Sequence, residues 1–226
     1  MLFNDPTFLL LIPVLILVFW AQANVKGTYE KYKKVPNSVR ITGKEVAERL
    51  LSKNGIYGVP VLCDKGELTD HYHPSKREVV LSSDVYHGTS IAAISIAAHE
   101  VGHAIQHDHG YSPVVIRGSL LPVANIGSQA GIPMFFIGLL FQFEILMTIG
   151  IIFFAFALLF HLVTLPVEFN ASRRAIAQLT EGYTTTDLEV KQCRKMLNAA
   201  AMTYVASTLM ILIQLIRLIL LRNSRR

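Results

Sequence analysis

The chain has 226 residues and a formal net charge of +5, and 52% of its residues are hydrophobic. That hydrophobic fraction is high for a soluble domain. The modest charge and the lack of any DNA- or RNA-recognition motif argue against a nucleic-acid-binding protein. Two cysteines far apart, Cys63 and Cys193, form no disulfide framework or C-x-x-C site. We therefore expect a membrane protein with free thiols in a reducing compartment.

The first predicted element is a membrane span over residues 7–23. This run contains no charged residue, is long enough to cross a bilayer, and has Trp20 near one end. A cleaved signal peptide is the alternative interpretation. Such a peptide begins with a positively charged segment, whereas residues 1–6 contain no Lys or Arg. We therefore predict an uncleaved N-terminal membrane span within residues 1–23.

Residues 24–118 form the main polar section of the chain. Within it, residues 45–53 have the apolar spacing of an amphipathic helix, and residues 59–62 are a short strand candidate. Residues 76–82 are predicted to form a second strand, which leads towards a histidine-containing helix.

The alanine-rich stretch from 89 to 110 is predicted to be a helix, and it contains the motif H-E-x-x-H. The two histidines of the motif, His99 and His103, are four residues apart and therefore share one face of the helix. Two imidazoles at that spacing can bind one Zn²⁺, and Glu100 is then placed to take a proton from a zinc-bound water. The motif therefore predicts zinc-dependent hydrolysis, and we predict that residues 24–118 hold the catalytic part of the protein. The strand predicted over residues 76–82 leads towards this helix, and we interpret it as a candidate edge on which a substrate backbone pairs.

A catalytic zinc usually has three protein ligands and one open position, so a third ligand is needed. His109 matches the spacing H-E-x-x-H-x-x-G-x-x-H, but Gln106 stands where that pattern needs a Gly. Glu168 is the second candidate: we expect it to begin a separate helix after Pro166, from which its carboxylate approaches the metal. We favour Glu168. Other nearby histidines are more typical of solvated or structural groups: His71, His73 and His107.

Two further apolar runs, residues 119–141 and 145–166, are joined by a short polar turn. The second run is a clear membrane span, while the first is interrupted by prolines and polar residues. If Glu168 joins the two histidines of the motif, the chain between them must cross the membrane an even number of times. We therefore predict a transmembrane hairpin over residues 119–166, with the zinc close to the membrane surface.

The remaining chain is predicted to be helical. Residues 167–198 form the helix with the third ligand and a linker, and a capping box from Thr186 to Glu189 opens the last helix. Residues 199–226 form a C-terminal membrane helix, which Gln214 and Arg217 weaken as a span. The predicted fold is a mainly α integral membrane protein with about four membrane-spanning helices and a small α+β, zincin-like catalytic portion.

An H-E-x-x-H helix, an apolar hairpin and then Glu168-Phe169-Asn170-Ala171-Ser172-Arg173 resemble membrane zinc metallopeptidases of the gluzincin type, such as HtpX-like and CAAX prenyl proteases. Over nearly its whole length the chain resembles the YugP-like neutral zinc metallopeptidase family. The resemblance implies His99, His103 and Glu168 as zinc ligands and Glu100 as catalytic acid/base. HtpX-like proteins commonly have an Asp where this chain has Ser172, so Asn170 or another residue is needed to orient the ligands.

Basic residues follow the first span and flank the hairpin on the same side: Lys26, Lys31, Lys33, Lys34, Arg117, Arg173 and Arg174. The positive-inside rule therefore predicts a multi-pass protein of the cell membrane with its catalytic side in the cytoplasm. The C-terminal arginines disagree with that orientation: Arg222, Arg225 and Arg226.

The predicted function is that of a membrane-embedded zinc endopeptidase that cleaves membrane proteins or membrane-adjacent peptides in contact with the lipid bilayer. One alternative is a catalytically silent membrane protein with a scaffold role or a structural zinc, closed by a fourth ligand such as His71 or His107. Another alternative is a hydrolase that acts on lipids or prenyl groups.

Overall fold

The structure is a computed structural model that describes residues 6–184 and 186–224. After a short 3-10 helix, Pro6–Leu10, its elements are α1 (Leu11–Lys33), α2 (Gly43–Lys53), β1 (Val61–Asp64), β2 (His71–His73), β3 (Glu78–Ser82), α3 (Ser83–Tyr86), α4 (Ile91–Asp108), α5 (Ser112–Phe141), α6 (Glu144–Thr180) and α7 (Asp187–Asn223). Among the described residues, four helical segments are long and apolar enough to cross a membrane: Thr7–Lys33, Ser112–Phe141, Glu144–Thr180 and Asp187–Asn223. The predicted fold class is confirmed.

The chain forms two compact units, each built from separate stretches of sequence. The unit that we call the helical unit comprises Met1–Gln22, Val115–Pro166 and Met202–Arg226. The other, the sheet unit, comprises Ala23–Val114 and Val167–Ala201, and it contains all three strands. All four of the long described helices contribute residues to both units: α1, α5, α6 and α7.

Within the helical unit, α5 and α6 approach each other closely through glycines. A Cβ atom on Gly127 would lie 2.1 Å from the carbonyl oxygen of Phe153, and one on Gly150 would lie 2.6 Å from that of Gly131. Small residues of this kind allow helix backbones to pack tightly inside a membrane. The prolines of α5, Pro122 and Pro133, lie inside the helix without ending it.

Helix α6 continues through Pro166 as one helix of 37 residues. The expectation that Glu168 begins a separate helix after Pro166 was therefore wrong. Proline inside a helix removes one backbone hydrogen bond and costs about 3 kcal/mol. The turns that follow are held by packing, because a stripe of residues spaced four apart is fully or almost fully buried in the sheet unit: Val167, Ala171, Ala175 and Leu179.

The three strands of the sheet unit have the order β1-β3-β2. Strand β1 pairs with β3 in parallel, β2 pairs with β3 antiparallel, and Val79 of β3 is the partner of both Val61 and Tyr72. Strand β3 is therefore central, so the prediction that residues 76–82 offer a free edge to a substrate was wrong. Among the described residues β2 pairs with β3 alone, which leaves β2 as an edge strand.

Helices α2 and α4 form the core of the sheet unit together with this sheet. Thr42 caps α2 in a capping box with Glu45, and the apolar face of α2 buries Val46 and Leu50 completely. Helix α4 begins at an N-cap, Ser90, whose hydroxyl accepts a hydrogen bond from the backbone of Ala93. The predicted amphipathic helix and H-E-x-x-H helix are both confirmed.

Candidate metal centre

Helices α4 and α6 make a backbone-to-backbone contact beside the H-E-x-x-H motif. A Cβ atom on Gly102 would lie 2.8 Å from the carbonyl oxygen of Ala171 and 3.2 Å from its Cα. No real Cβ atom approaches an oxygen so closely without a shift, so this contact depends on glycine. Glu168 lies about one turn before Ala171 on α6. The contact therefore brings its carboxylate to the face of α4 that carries the two histidines.

Three potential ligand atoms converge at this contact. The Oε2 atom of Glu168 lies 3.3 Å from Nε2 of His99 and 3.5 Å from Nε2 of His103. One ligand atom from each residue falls within 4.8 Å of the others. The Glu168 side chain is only 3% exposed, and the histidine side chains are 14% and 16% exposed. Two imidazoles and one carboxylate are a known donor set for catalytic zinc.

The other ring nitrogen of each histidine has a partner of its own. The Nδ1 atom of His99 lies 3.2 Å from the hydroxyl of Ser172, and Nδ1 of His103 lies 3.0 Å from Oε1 of Gln106. Zinc-binding histidines usually make such a contact, because it fixes the ring orientation and leaves the free nitrogen for the metal. The residues present therefore fit a zinc ion at this position.

Negative charge surrounds the two histidines. Burial alone would lower the pKa of His103, but the Glu168 carboxylate, the charge of Glu100 and a hydrogen bond with Gln106 together raise it above its ordinary value. Glu100 is itself 7% exposed. Burial raises the pKa of Asp70, and the charge of Glu100 raises it further, whereas hydrogen bonds from Ser82 lower it; the net effect is a raised pKa. The Glu100 carboxylate thus lies within electrostatic reach of the candidate centre.

Comparisons with known proteins point to the same metal. Residues 7–223 match the family described as "Putative neutral zinc metallopeptidase". The chain belongs to this family. It is also 47% identical over 213 residues to "Putative membrane protease YugP" of Bacillus subtilis (strain 168), with 94% of each chain covered. No solved structure matches the chain. The predicted family and the zinc cofactor are confirmed, and the name of the relative supports a membrane protease.

The other histidines considered as ligands lie outside this group of three residues. His109 is the C-cap of α4, and its backbone N–H bonds to the carbonyl oxygen of Ile105. The remaining three make different contacts: His71 with the Thr69 carbonyl, His73 with the Lys76 backbone N–H, and His107 with the Tyr72 hydroxyl. In residues 6–184 and 186–224, His99, His103 and Glu168 are the one group with the spacing of a metal site.

The sequence did not reveal the roles of Gln106 and Ser172, which contact the Nδ1 atoms of the two histidines. Asn170 was considered as an orienting residue, and the structure places it one step further out, 3.0 Å from Nε2 of Gln106. Gln106 and Ser172 were each noted only because they depart from an expected Gly and an expected Asp. These two departures from the expected pattern were the only sign in the sequence that both positions matter. They do not show which ring nitrogen each side chain contacts.

Proposed function

We propose that this chain is a zinc-dependent endopeptidase of the membrane, with His99, His103 and Glu168 as zinc ligands and Glu100 as general base and acid. The observation that carries the proposal is the convergence of two Nε2 atoms and one carboxylate oxygen on an H-E-x-x-H helix. A structural zinc site usually has four protein ligands, whereas the group found among the described residues has three. This favours catalysis over a silent scaffold.

The protein groups have distinct roles in the proposed reaction. Zinc, when bound, supplies Lewis-acid chemistry, which polarises a carbonyl oxygen and acidifies water. Glu100 accepts a proton from the attacking water and donates it to the amine of the departing peptide. Because Glu100 and Glu168 are both almost fully buried, their charges act in a poorly solvated region, where electrostatic interactions are stronger than in bulk water.

The arrangement of the sheet supports an extended peptide as substrate. Strand β2 has a free edge among the described residues and is tied to α4 by a hydrogen bond of 2.8 Å between the Tyr72 hydroxyl and Nδ1 of His107. We place the substrate backbone on this edge, since edge strands pair readily with extended peptides. Strand β2 therefore takes the substrate-pairing role that the sequence suggested for β3.

The sequence around the ligands supports a substrate in or near the bilayer. The stretch Val115–Pro166 belongs to the helical unit, and Glu168 comes two residues after its end. We therefore propose that the enzyme cleaves membrane proteins or membrane-adjacent peptides. The basic residues that flank the predicted spans favour a catalytic side in the cytoplasm of a cell-membrane protein.

Replacing Glu100 with Gln tests the mechanism. The full-length protein in detergent or liposomes is assayed against peptide and membrane-protein substrates, and its zinc content is measured in parallel. We expect Glu100→Gln to abolish hydrolysis and keep zinc, and Glu168→Ala to lose zinc. As controls, His109→Ala and the exposed Glu181→Gln should keep both properties. Full peptidase activity in Glu100→Gln would contradict the mechanism.

A further inference from the structure

Gln106 uses all of its side-chain hydrogen-bonding groups next to the candidate centre. It is fully buried on α4, and its Oε1 atom lies 3.0 Å from Nδ1 of His103. Its Nε2 atom lies 2.8 Å from the carbonyl oxygen of Val167 and 3.0 Å from Oδ1 of Asn170. A glutamine amide has one acceptor oxygen and two N–H donors, so each of them has a partner here.

These partners determine how the amide is oriented and which nitrogen of His103 carries hydrogen. The Val167 carbonyl can only accept a hydrogen bond, so the amide nitrogen of Gln106 must face it. The amide oxygen then faces His103. Because that oxygen can only accept, Nδ1 of His103 must donate. In the neutral ring, which is the form that binds a metal, Nε2 then keeps its lone pair and faces the centre shared with Glu168.

The same amide ties α4 to the turn of α6 that carries Glu168. Val167 directly precedes Glu168, and Asn170 follows it by two residues. The Nε atom of Arg174 donates to the same Oδ1 of Asn170 over 2.8 Å, which holds that oxygen in its accepting orientation. One buried side chain therefore contacts both ligand-bearing helices through direct hydrogen bonds.

We propose that Gln106 is a positioning residue that fixes the ring nitrogen with which His103 binds zinc and holds the Glu168 turn against α4. This inference rests on the zinc site proposed above. Partners of this kind typically change metal affinity by about 10- to 100-fold when they are removed. Both of the contacts that orient the histidines, from Gln106 and from Ser172, come from uncharged side chains.

The test measures zinc affinity of the full-length protein by chelator competition, together with the visible spectrum of the cobalt-loaded protein. Gln106→Met keeps the length of the side chain and removes its hydrogen bonds. We expect zinc to bind about 10- to 100-fold more weakly and the cobalt bands to shift. Gln178→Met is the matched control, because Gln178 also lies on a ligand-bearing helix and loses only a bond to Asn54. It should leave the zinc affinity and the spectrum unchanged.

Two variants of Asn170 keep the test decisive if Gln106→Met does not fold. Asn170→Asp retains an acceptor for both Gln106 and Arg174 and should bind zinc like the wild type, whereas Asn170→Leu should bind it more weakly. If folded Gln106→Met protein binds zinc with wild-type affinity, the inference about Gln106 is overturned and the zinc site itself is not. If Gln106→Met does not fold, the same result for folded Asn170→Leu protein has that meaning. Wild-type protein that binds no more zinc than a His99→Ala/His103→Ala variant would overturn the site as well. Zinc binding without peptide hydrolysis would instead reject only the proposed peptidase function.

Discussion

The contact between Gly102 and Ala171 predicts that a single added methyl group will damage the proposed zinc site more than it damages the fold. In Gly102→Ala the new Cβ atom would start 2.8 Å from the Ala171 carbonyl oxygen, while ordinary contact begins at 3.4 Å. The backbones of α4 and α6 must therefore separate by about 0.6 Å, the difference between these two distances. Both partners are helix backbone, so no flexible side chain can absorb the shift.

Two opposing terms make the change in stability small. Alanine in place of glycine stabilises a helix by about 1 kcal/mol. Overpacking a close contact costs about 1 to 3 kcal/mol. The net loss is therefore about 0 to 2 kcal/mol. Function is more sensitive, because ligand groups must be held to about 0.5 Å and a misplacement of about 1 Å can reduce activity about 100-fold. We expect a loss of about 10- to 100-fold in zinc affinity and peptidase rate.

The assay compares zinc affinity, peptide hydrolysis and thermal unfolding of Gly102→Ala with those of Gly27→Ala. Gly27 lies on α1, and a Cβ atom there would meet nothing within 4 Å. The control variant should therefore gain slightly in stability and keep both zinc and activity. If Gly102→Ala binds zinc and cleaves peptide as well as the wild type does, the close contact does not set the ligand geometry.

Three further outcomes are expected. Ser172→Ala should weaken zinc binding about tenfold because His99 loses its partner, and Ser172→Asp should restore it in a chelator competition. Thr42→Ala should cost about 1 kcal/mol in denaturant unfolding at neutral pH. The backbone N–H and the hydroxyl of Thr42 donate hydrogen bonds that lower the pKa of Glu45, and Thr42→Ala removes only the hydroxyl bond. The stabilisation from that bond is present above the ordinary glutamate pKa and lost as the pH falls through the lowered one, so the effect of Thr42→Ala should shrink in acid. In Phe143→Cys, a membrane-impermeant thiol reagent should label the new cysteine only from the side of the membrane opposite to the exposed Cys63.

Elements with a strong local signal were predicted well from the sequence. The apolar spacing and the capping residues of α2 lie within the helix itself, so neither needed information from distant parts of the chain. The order of the strands was different, because it depends on which segments pair across loops. Strand β3 has its partners at Val61 and at Tyr72, and nothing within residues 76–82 indicates that both of its edges are occupied. The helix break predicted at Pro166 was wrong for the opposite reason. Proline is a strong local signal for a break, but the buried packing of the turns after it keeps α6 continuous.

The residues of the candidate site likewise fall into those that a local pattern predicts and those that only the packing of distant segments brings together. His99, Glu100 and His103 lie within five consecutive residues, and helical periodicity alone places both histidines on one face. Glu168 lies 69 residues from His99, and it was chosen from the donor set that zinc needs, not from any local pattern. The role of Gln106 could not be derived at all. It depends on the position of the Val167 carbonyl and Asn170, which only the packing of α6 against α4 defines.

The labelling prediction at Phe143 follows from the distance between Glu168 and the two histidines. Because the Glu168 carboxylate and Nε2 of His99 are 3.3 Å apart, they occupy one compartment. The chain that joins them contains α5 and α6, each long and apolar enough to span a bilayer. An even number of crossings returns the chain to its starting side, and two spans satisfy that count. Phe143, 61% exposed between the two helices, then lies on the far side of the membrane. Labelling of Phe143→Cys from the same side as Cys63 would mean that α5 and α6 do not both cross, and the proposed zinc site would then need a different membrane topology.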